Sequence, residues 1–495
     1  MKTLNAPRLP FCGYALAAIV LMLPFFASCA SEEAPEPVPG PEVLIPAAAY
    51  NDGTPYFRND RIYLEDYSNA LHAIFMTAGN SRSSELANEN YRPELAEQSN
   101  PRAQQWLDLV QLTDSFFNSS GRFTPYFTRQ DDGFVPAQKT DLSVYPHLVY
   151  AYHMHHRGGR FSDEAIEQAL YFQPLNYLVS PGRYLLQNHY RDGAFFDDDG
   201  RIDYRSMSYA LGGIHGHIYS WVIWAKPDGE DNMGMVDEAR LTGWMQFTKE
   251  EMADIALEVA AYLDAAWDSE RQIYVFQDDM MDAAWSIDAL GAMIRGHKAL
   301  YEALYMFGQG TETMFAARQL FDRSVILFEH AEALAKPWGF PQRISFTADG
   351  PVAAATYTEP YHTFQFMNHI GGGFSWDREL EGTSGFIGEH QPDIPRRVGA
   401  LSDMLLQGAL DHMMPEGRVV KQLSYENGSV KDQMTGISAA GMFVTAAGNI
   451  YRKGSAFERA SDWESVTDDV RERSRLLYDA KIAHTAFIEQ FLDGM

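Results

Sequence analysis

Cysteine is nearly absent from this sequence. The 495 residues include only Cys12 and Cys29, so a chain matured at Cys29 carries no disulfide and no thiol nucleophile. Zinc-thiolate sites and haem attachment through paired cysteines are excluded with them. Positive charge is scarce as well: 39 Lys and Arg stand against 67 Asp and Glu, a formal charge of −28. A surface of that sign repels phosphate backbones and anionic lipid, which excludes nucleic acid as an expected partner. Any anionic substrate would need a local basic patch. The common signature motifs are missing too. No phosphate loop, dinucleotide fingerprint, HExxH or GxSxG occurs, and the glycine run at 371–373 lacks the lysine of a phosphate cradle.

What is present begins with an address. Residues 1–28 carry Lys2 and Arg8 and then the apolar run CGYALAAIVLMLPFFAS, the layout of a secretory signal and too short for a confident membrane span. Ala27 and Ser28 before Cys29 resemble a bacterial lipobox, with Phe26 where such boxes usually carry Leu. The resemblance implies lipidation of Cys29 and a lipid anchor. Ala30 in place of an Asp after the cysteine directs the expectation to the outer membrane of the cell envelope. Residues 29–49, rich in Pro and Glu, read as an extended tether. Loss of Lys2 and Arg8 with the signal leaves 37 basic against 67 acidic residues, or −30.

Residues 50–495 are expected to form a single globular domain, since hydrophobic residues make up 46% and aromatics 13% of the chain. An internal repeat organises it. Five short extended pieces end in an acid or Asn, usually with Gly: 121–135, 193–202, 271–281, 341–352 and 417–430. Anchored on Gly133, Gly200, Met280, Gly350 and Gly428, they recur at intervals of 67, 80, 70 and 78 residues. Each is followed by an apolar segment of helical period, and most intervals hold a second.

The segment from Ser286 to Phe307 places Ile287, Leu290, Ile294, Tyr301 and Leu304 on one face, with Gly291 and Gly296 allowing close helix contact. The next earlier one sets Met252, Ile255, Ala256, Val259 and Leu263 on a stripe behind a polar start at Lys249–Glu251. Gly212, Gly213 and Gly216 make room in a further helix. Other helices are predicted over 101–117, 143–156, 163–178, 312–334, 397–413, 431–451 and 466–492. The fold class is therefore all-α, with short β-like turns. Paired helices at this period resemble the α/α toroid, in which about six helical hairpins close into a ring. That architecture is common among glycoside hydrolases, polysaccharide lyases and sugar epimerases, and the resemblance implies a carbohydrate ligand in a cleft formed by the turns.

The richest stretch runs from Asn188 to Trp224. Aligning Gly200 with the glycine of an EF-hand puts Phe195 and Ser206 where carboxylates are required, so no EF-hand is present. Asp197, Asp199 and Asp203 leave a loosely bound calcium or a solvated acidic turn as alternatives, and otherwise no cofactor is implied. His215 and His217 lie about 200° apart on a helix, a poor metal pair, and His153, His155 and His156 sit near another helix end. No metal ligand set is assigned.

For a lyase, Asn188, His189 and Tyr190 supply the residue types that neutralise a uronate and move its proton, complemented by Asn368 and His369. For a hydrolase, two carboxylates must flank the glycosidic bond. Candidates are Asp132, Asp199, Asp278, Asp279 and Asp282, and above all Glu359, flanked by Tyr357, Tyr361 and His362 with Pro360 starting a helix. Trp285, Trp338, Trp376 and Tyr361 are the expected sugar-binding aromatics. The competing expectation is a non-catalytic lipoprotein that binds a glycan, a metal or a partner protein on the same concave face.

Overall fold

A computed structural model describes residues 61–77, 124–130, 133–149, 172–223, 225–226, 236–280, 283–374, 393–448 and 467–493, all within the compact unit Val43–Met495. The signal, the tether, the helix expected over 101–117, Asp132, Asp282, Trp376 and the histidines 153, 155 and 156 lie outside the described residues.

In chain order the helices are α1 (Leu64–Thr77), α2 (145–149, entered through the 3-10 turn Leu142–Val144), α3 (Phe172–Asn188), α4 (Tyr204–Ile223), α5 (Glu238–Met245) and α6 (Lys249–Ala266). They continue as α7 (Ile287–Phe307), α8 (Thr311–Glu332), α9 (Pro360–Gly373), α10 (Ile394–Gly408), α11 (Ile437–Gly448) and α12 (Asp468–Asp493). Between outer and inner helices lie small antiparallel hairpins. Tyr126–Gln130 pairs with Gly133–Pro136 and with the strand Arg61–Tyr63, Arg343–Thr347 pairs with Gly350–Ala353 and with Trp285–Ser286, and Gln422–Ser424 pairs with Val430–Asp432 and with Tyr357–Thr358. The fold is mainly helical, and three of the five expected turns are these hairpins, while the other two carry the short ladders of Tyr190–Arg191 with Ala194–Phe195 and of Trp267–Asp268 with Ile273–Tyr274.

Among the described residues, six helices form an inner layer. Helix α1 packs beside the turn into α2, that turn beside α4, α4 on α7, α7 on α9, α9 on α11, and α11 returns to α1. This closed cycle is the toroid that the repeat predicted. Helices α3, α6, α8, α10 and α12 pack outside it. Composition sorts the layers. Helix α7 is buried on all sides from Ile287 to Leu304 rather than on one face, as an inner helix must be. Helix α6, on the outside, buries only the stripe Met252, Ala256, Val259 and Leu263 with small alanines beside it, and starts with a capping box between Thr248 and Glu251.

Glycine sets the spacing of the ring. A Cβ on Gly296 would meet Leu211 Cβ at 2.4 Å, and one on Gly216 would meet Val149 Cγ1 at 1.9 Å. These contacts lie between α4 and its two inner neighbours, where close approach was expected. Two boundaries differ most from expectation: the helix read over 163–178 extends to Asn188, through Pro181, and the helix read over 431–451 begins only at Ile437, because Val430–Asp432 pairs as a strand. Asn188 is thus a helix terminus, its amide donating to the Tyr184 carbonyl at 2.9 Å.

The acidic turns are largely accounted for by the ring itself. A helix start leaves backbone N–H groups without partners and favours negative charge, and here both the local turn and a neighbouring repeat supply carboxylates. Asp203 caps α4 from its own turn, accepting from Arg205 N at 3.0 Å and Ser206 N at 2.8 Å, and from one turn further on Asp279 accepts from Tyr204 N at 2.9 Å and Asp278 from Ile202 N at 2.7 Å, just ahead of the helix. Asp198 accepts from Thr140 N at 2.6 Å. Asp66 closes the circle by accepting from Ser438 N at 3.0 Å and from its hydroxyl at 2.6 Å, at the start of α11.

Candidate active site at the mouth of the ring

Each inner helix begins at the same end of the ring, the end that carries the hairpins. First-turn and second-turn side chains of α1, α4, α7 and α9 meet there, joined by His147 of α2. Tyr361 donates its hydroxyl proton to Glu65 Oε1. The Tyr361 oxygen receives Asn69 Nδ2 at 3.0 Å and Gln365 Nε2 at 2.5 Å. Gln365 Nε2 also lies 2.6 Å from His147 Nε2, and Gln365 Oε1 lies 2.8 Å from His362 Nδ1. His362 Nε2 stands 3.2 Å from Glu359 Oε2, and its Nδ1 stands 3.5 Å from Asp288 Oδ1. Tyr209 donates to the other Asp288 oxygen, and Gln422 Nε2 reaches Glu359 Oε1 at 3.5 Å. Glu65 and Glu359 are therefore the two ends of one continuous chain through Tyr361, Gln365 and His362.

Burial and charge divide the members of this chain into proton holders and ions. Burial pushes Glu65 up to about 7, against the Tyr361 hydrogen bond that lowers it. Burial opposes charge on His362, but Asp288, Glu359 and Glu65 outweigh it and hold the imidazole up at about 9. Asp288 shows the reverse balance, with His362 and the Tyr209 hydrogen bond overcoming burial to keep it below the usual carboxylate range. Burial, with the Asp288 charge added, raises the Tyr209 hydroxyl well above its ordinary value, and burial with Glu65 does the same to Tyr361. Both therefore act as hydrogen-bond donors rather than bases at neutral pH. Glu359 caps α9 in position only, since its side chain makes no cap hydrogen bond and turns to His362 instead. At 23% exposure it is also the carboxylate with the most access to solvent among the pairs with His362.

Below the mouth the axis is polar. His72, His147, Arg295, Asn368 and His369 are all buried, and the His147 and His369 rings lie 5.2 Å apart. Burial and the Arg295 charge push His147 down to about 3 and keep His369 and His72 neutral as well. Among the described atoms, both side-chain amide atoms of Asn368 and both ring nitrogens of His369 have no hydrogen-bond partner.

The structure brings Glu359, Tyr361 and His362 together and places Asn368 and His369 beneath them. It does not bring the other nominated residues to this cluster. His189 is buried behind the turn, with Nδ1 against the Phe196 carbonyl at 2.9 Å. Tyr190 donates to Glu258 of the outer helix α6 at 2.6 Å. Asp199 is exposed at 62%, 3.7 Å from Arg201, while Asp197 is taken up by Arg201 and by the backbone of its own turn. Asp279 accepts from two backbone N–H groups. Trp285 is 1% exposed and stacked on Tyr204, so it offers no free face for a sugar. Trp338 donates to the Tyr425 carbonyl at 3.0 Å. His217 is fixed by the Val179 carbonyl at 3.0 Å. Among the described residues, no group of three or more His, Cys, Asp or Glu is placed to hold a metal ion.

Sequence reasoning passed over Glu65, Asp288, Tyr209, Gln365 and His147. A signal did exist: Glu65 and Asp288 each occupy the second position of a long apolar helix, where a carboxylate favours the helix dipole and also faces the mouth.

No protein-family profile matches the chain, and no curated protein matches it. Three solved structures are similar to it in outline. A sugar epimerase from a ruminal bacterium aligns with a TM-score of 0.43 at 9% identity, covering 79% of this chain and 90% of that one. An uncharacterized conserved protein from Thermus thermophilus aligns at 0.29 and 14% identity, over 79% and 93% of the two chains. A GH63 mannosylglycerate hydrolase from the same organism, in complex with Tris and D-glycerate, aligns at 0.28 and 14% identity, over 76% and 99%.

Proposed function

We propose that the chain is a glycan-processing enzyme of the cell envelope that hydrolyses glycosidic bonds at the mouth of the ring. The observation that carries this reading is the pair of carboxyl groups at opposite ends of one hydrogen-bonded chain. Glu65 is half-buried and holds its proton toward neutral pH, whereas Glu359, also half-buried, is ion-paired to His362. In this reading Glu65 protonates the departing glycosidic oxygen as the bond to the anomeric carbon breaks. Water forms the new bond to that carbon and gives its proton to Glu359. Asp288 is the weaker candidate for base, because at 9% exposure against 23% for Glu359 it has less room to meet a water, and His362 and the Tyr209 hydrogen bond hold it below the usual carboxylate range.

Lyase chemistry is less well supported, since it needs a cation for the uronate and a proton acceptor at tyrosine or histidine. Burial and adjacent carboxylates strengthen both tyrosine O–H bonds, and His362 is committed to Glu359 and Asp288. The test is to screen the detergent-solubilised full chain against neutral and uronic-acid polysaccharides, following reducing ends and ultraviolet absorbance of unsaturated products. New reducing ends without absorbance support hydrolysis, and both together select a lyase. Saturable binding with neither signal sinks the enzyme reading in favour of a glycan-binding lipoprotein. The envelope location is part of the same proposal: incorporation of labelled fatty acid that Cys29→Ser abolishes would support it, and an unlabelled chain would refute it.

A further inference from the structure

We infer that Gln365 is a positioning residue that decides which oxygen of Glu65 carries the acid proton. This deepens the hydrolase reading and takes from it the role of Glu65 as acid. The argument follows the direction of each hydrogen bond. An imidazolium has an N–H on both nitrogens, so His362 Nδ1, 2.8 Å from the Gln365 side chain, can only donate. The atom facing it must be the amide oxygen, which turns the amide nitrogen toward Tyr361 Oη at 2.5 Å and His147 Nε2 at 2.6 Å. His147, held neutral in its buried position, accepts there. Tyr361 Oη already receives Asn69 Nδ2 at 3.0 Å, so both neighbours donate to it and neither offers an acceptor. Its one proton must go to Glu65 Oε1. With Oε1 occupied as an acceptor, the proton of neutral Glu65 sits on Oε2, the oxygen left to meet a substrate. Gln365 thus acts by facing Tyr361 with a donor, which withholds any acceptor that could compete with Glu65 Oε1 for its proton.

The groups that face Glu65 are Asp66 on its own helix, Tyr361 and His362 on α9, and Asp141 ahead of α2. Only the Tyr361 contact depends on the orientation of Gln365. Placing a carboxylate at this position gives Tyr361 a competing acceptor, and Gln365→Glu should draw its proton away from Glu65. Loss of a hydrogen bond to a carboxylate moves its titration upward by about one pH unit or more. Tyr361→Phe should produce a similar rise without adding charge. Gln365→Met, close in size and without an acceptor, should leave the Glu65 titration within about half a pH unit of the parent.

The experiment is 13C NMR of the full chain in detergent with carboxyl-labelled glutamate, the Glu65 signal assigned by its disappearance in Glu65→Gln. A Glu65 titration unmoved by Gln365→Glu or by Tyr361→Phe overturns the inference, as does a rise in Gln365→Met equal to that in Tyr361→Phe. Because the titration is read without turnover, a chain that shows the expected shifts but cleaves no glycan refutes the hydrolase reading alone. Cleavage with unmoved titrations refutes the role of Gln365 alone.

Discussion

Gly296→Ala tests the closed ring directly, because one methyl group must be inserted where two inner helices nearly touch. The added Cβ would stand 2.4 Å from Leu211 Cβ and 2.9 Å from the Leu211 backbone carbon. Ordinary contact begins near 3.4 Å, so α4 and α7 must separate by on the order of 1 Å along an interface that is buried on both sides. Overpacking of this kind costs about 1–3 kcal/mol, and a backbone obstacle places Gly296 at the upper end. Alanine returns up to about 1 kcal/mol of helix propensity, which leaves a net loss of about 2 kcal/mol. Gly243 in α5 is the matched control, since a Cβ there meets nothing within 4 Å. Gly243→Ala should therefore stabilise by roughly 0.5 kcal/mol from propensity alone. Urea unfolding of the two variants, followed by circular dichroism, should separate their midpoints in opposite directions from the parent. A Gly296→Ala midpoint equal to or above that of Gly243→Ala would show that α4 and α7 do not pack in this register.

The other predictions concern the mouth of the ring. Glu65→Gln and Glu359→Gln should each lower turnover by about 10²–10⁴-fold on whichever glycan the parent cleaves, with folding unchanged by circular dichroism; full activity in either removes that residue from the mechanism. His362, held up at about 9 against an ordinary value of 6.5, binds its proton more tightly folded than unfolded. It should contribute stability on the order of 3 kcal/mol that is complete below about pH 6.5 and lost as pH rises through about 9. His362→Gln should flatten that alkaline decline in urea titrations, and a parent whose stability is level from about pH 6.5 to 9 would contradict the assignment. Trp285→Ala should cost about 3–5 kcal/mol as a core truncation while leaving glycan affinity unaltered, and a rise in KM with normal stability would restore Trp285 as a sugar platform.

Helices α6, α7, α8 and α12 were legible in the sequence to within about two residues, because long apolar periods and caps are local properties of the chain. Closure of the ring was legible only through the count of repeats. The end of the third helix was not legible: α3 continues past residue 178 to Asn188, with Pro181 inside it and Gly182 against His217. Local preference lost there to packing between neighbouring hairpins.

The candidate site was half legible for a deeper reason. A density of Asp in the turns resembles catalytic machinery, but a ring of helices needs carboxylates at its helix starts whatever its chemistry. Asp141 and Asp203 meet that need within their own turns, while Asp279 and Asp66 meet it from a neighbouring repeat, at sequence separations of 75 and 372 residues, which no local pattern reveals. Carboxylates free of capping duty are the ones able to carry a reaction, and they sit one step further in. Glu65 and Asp288 are second residues of inner helices, and Glu359 occupies a cap position without making the cap bond. In a fold of this kind, an acid that fails to cap the helix it stands on is therefore a stronger sign of chemistry than an acid-rich turn.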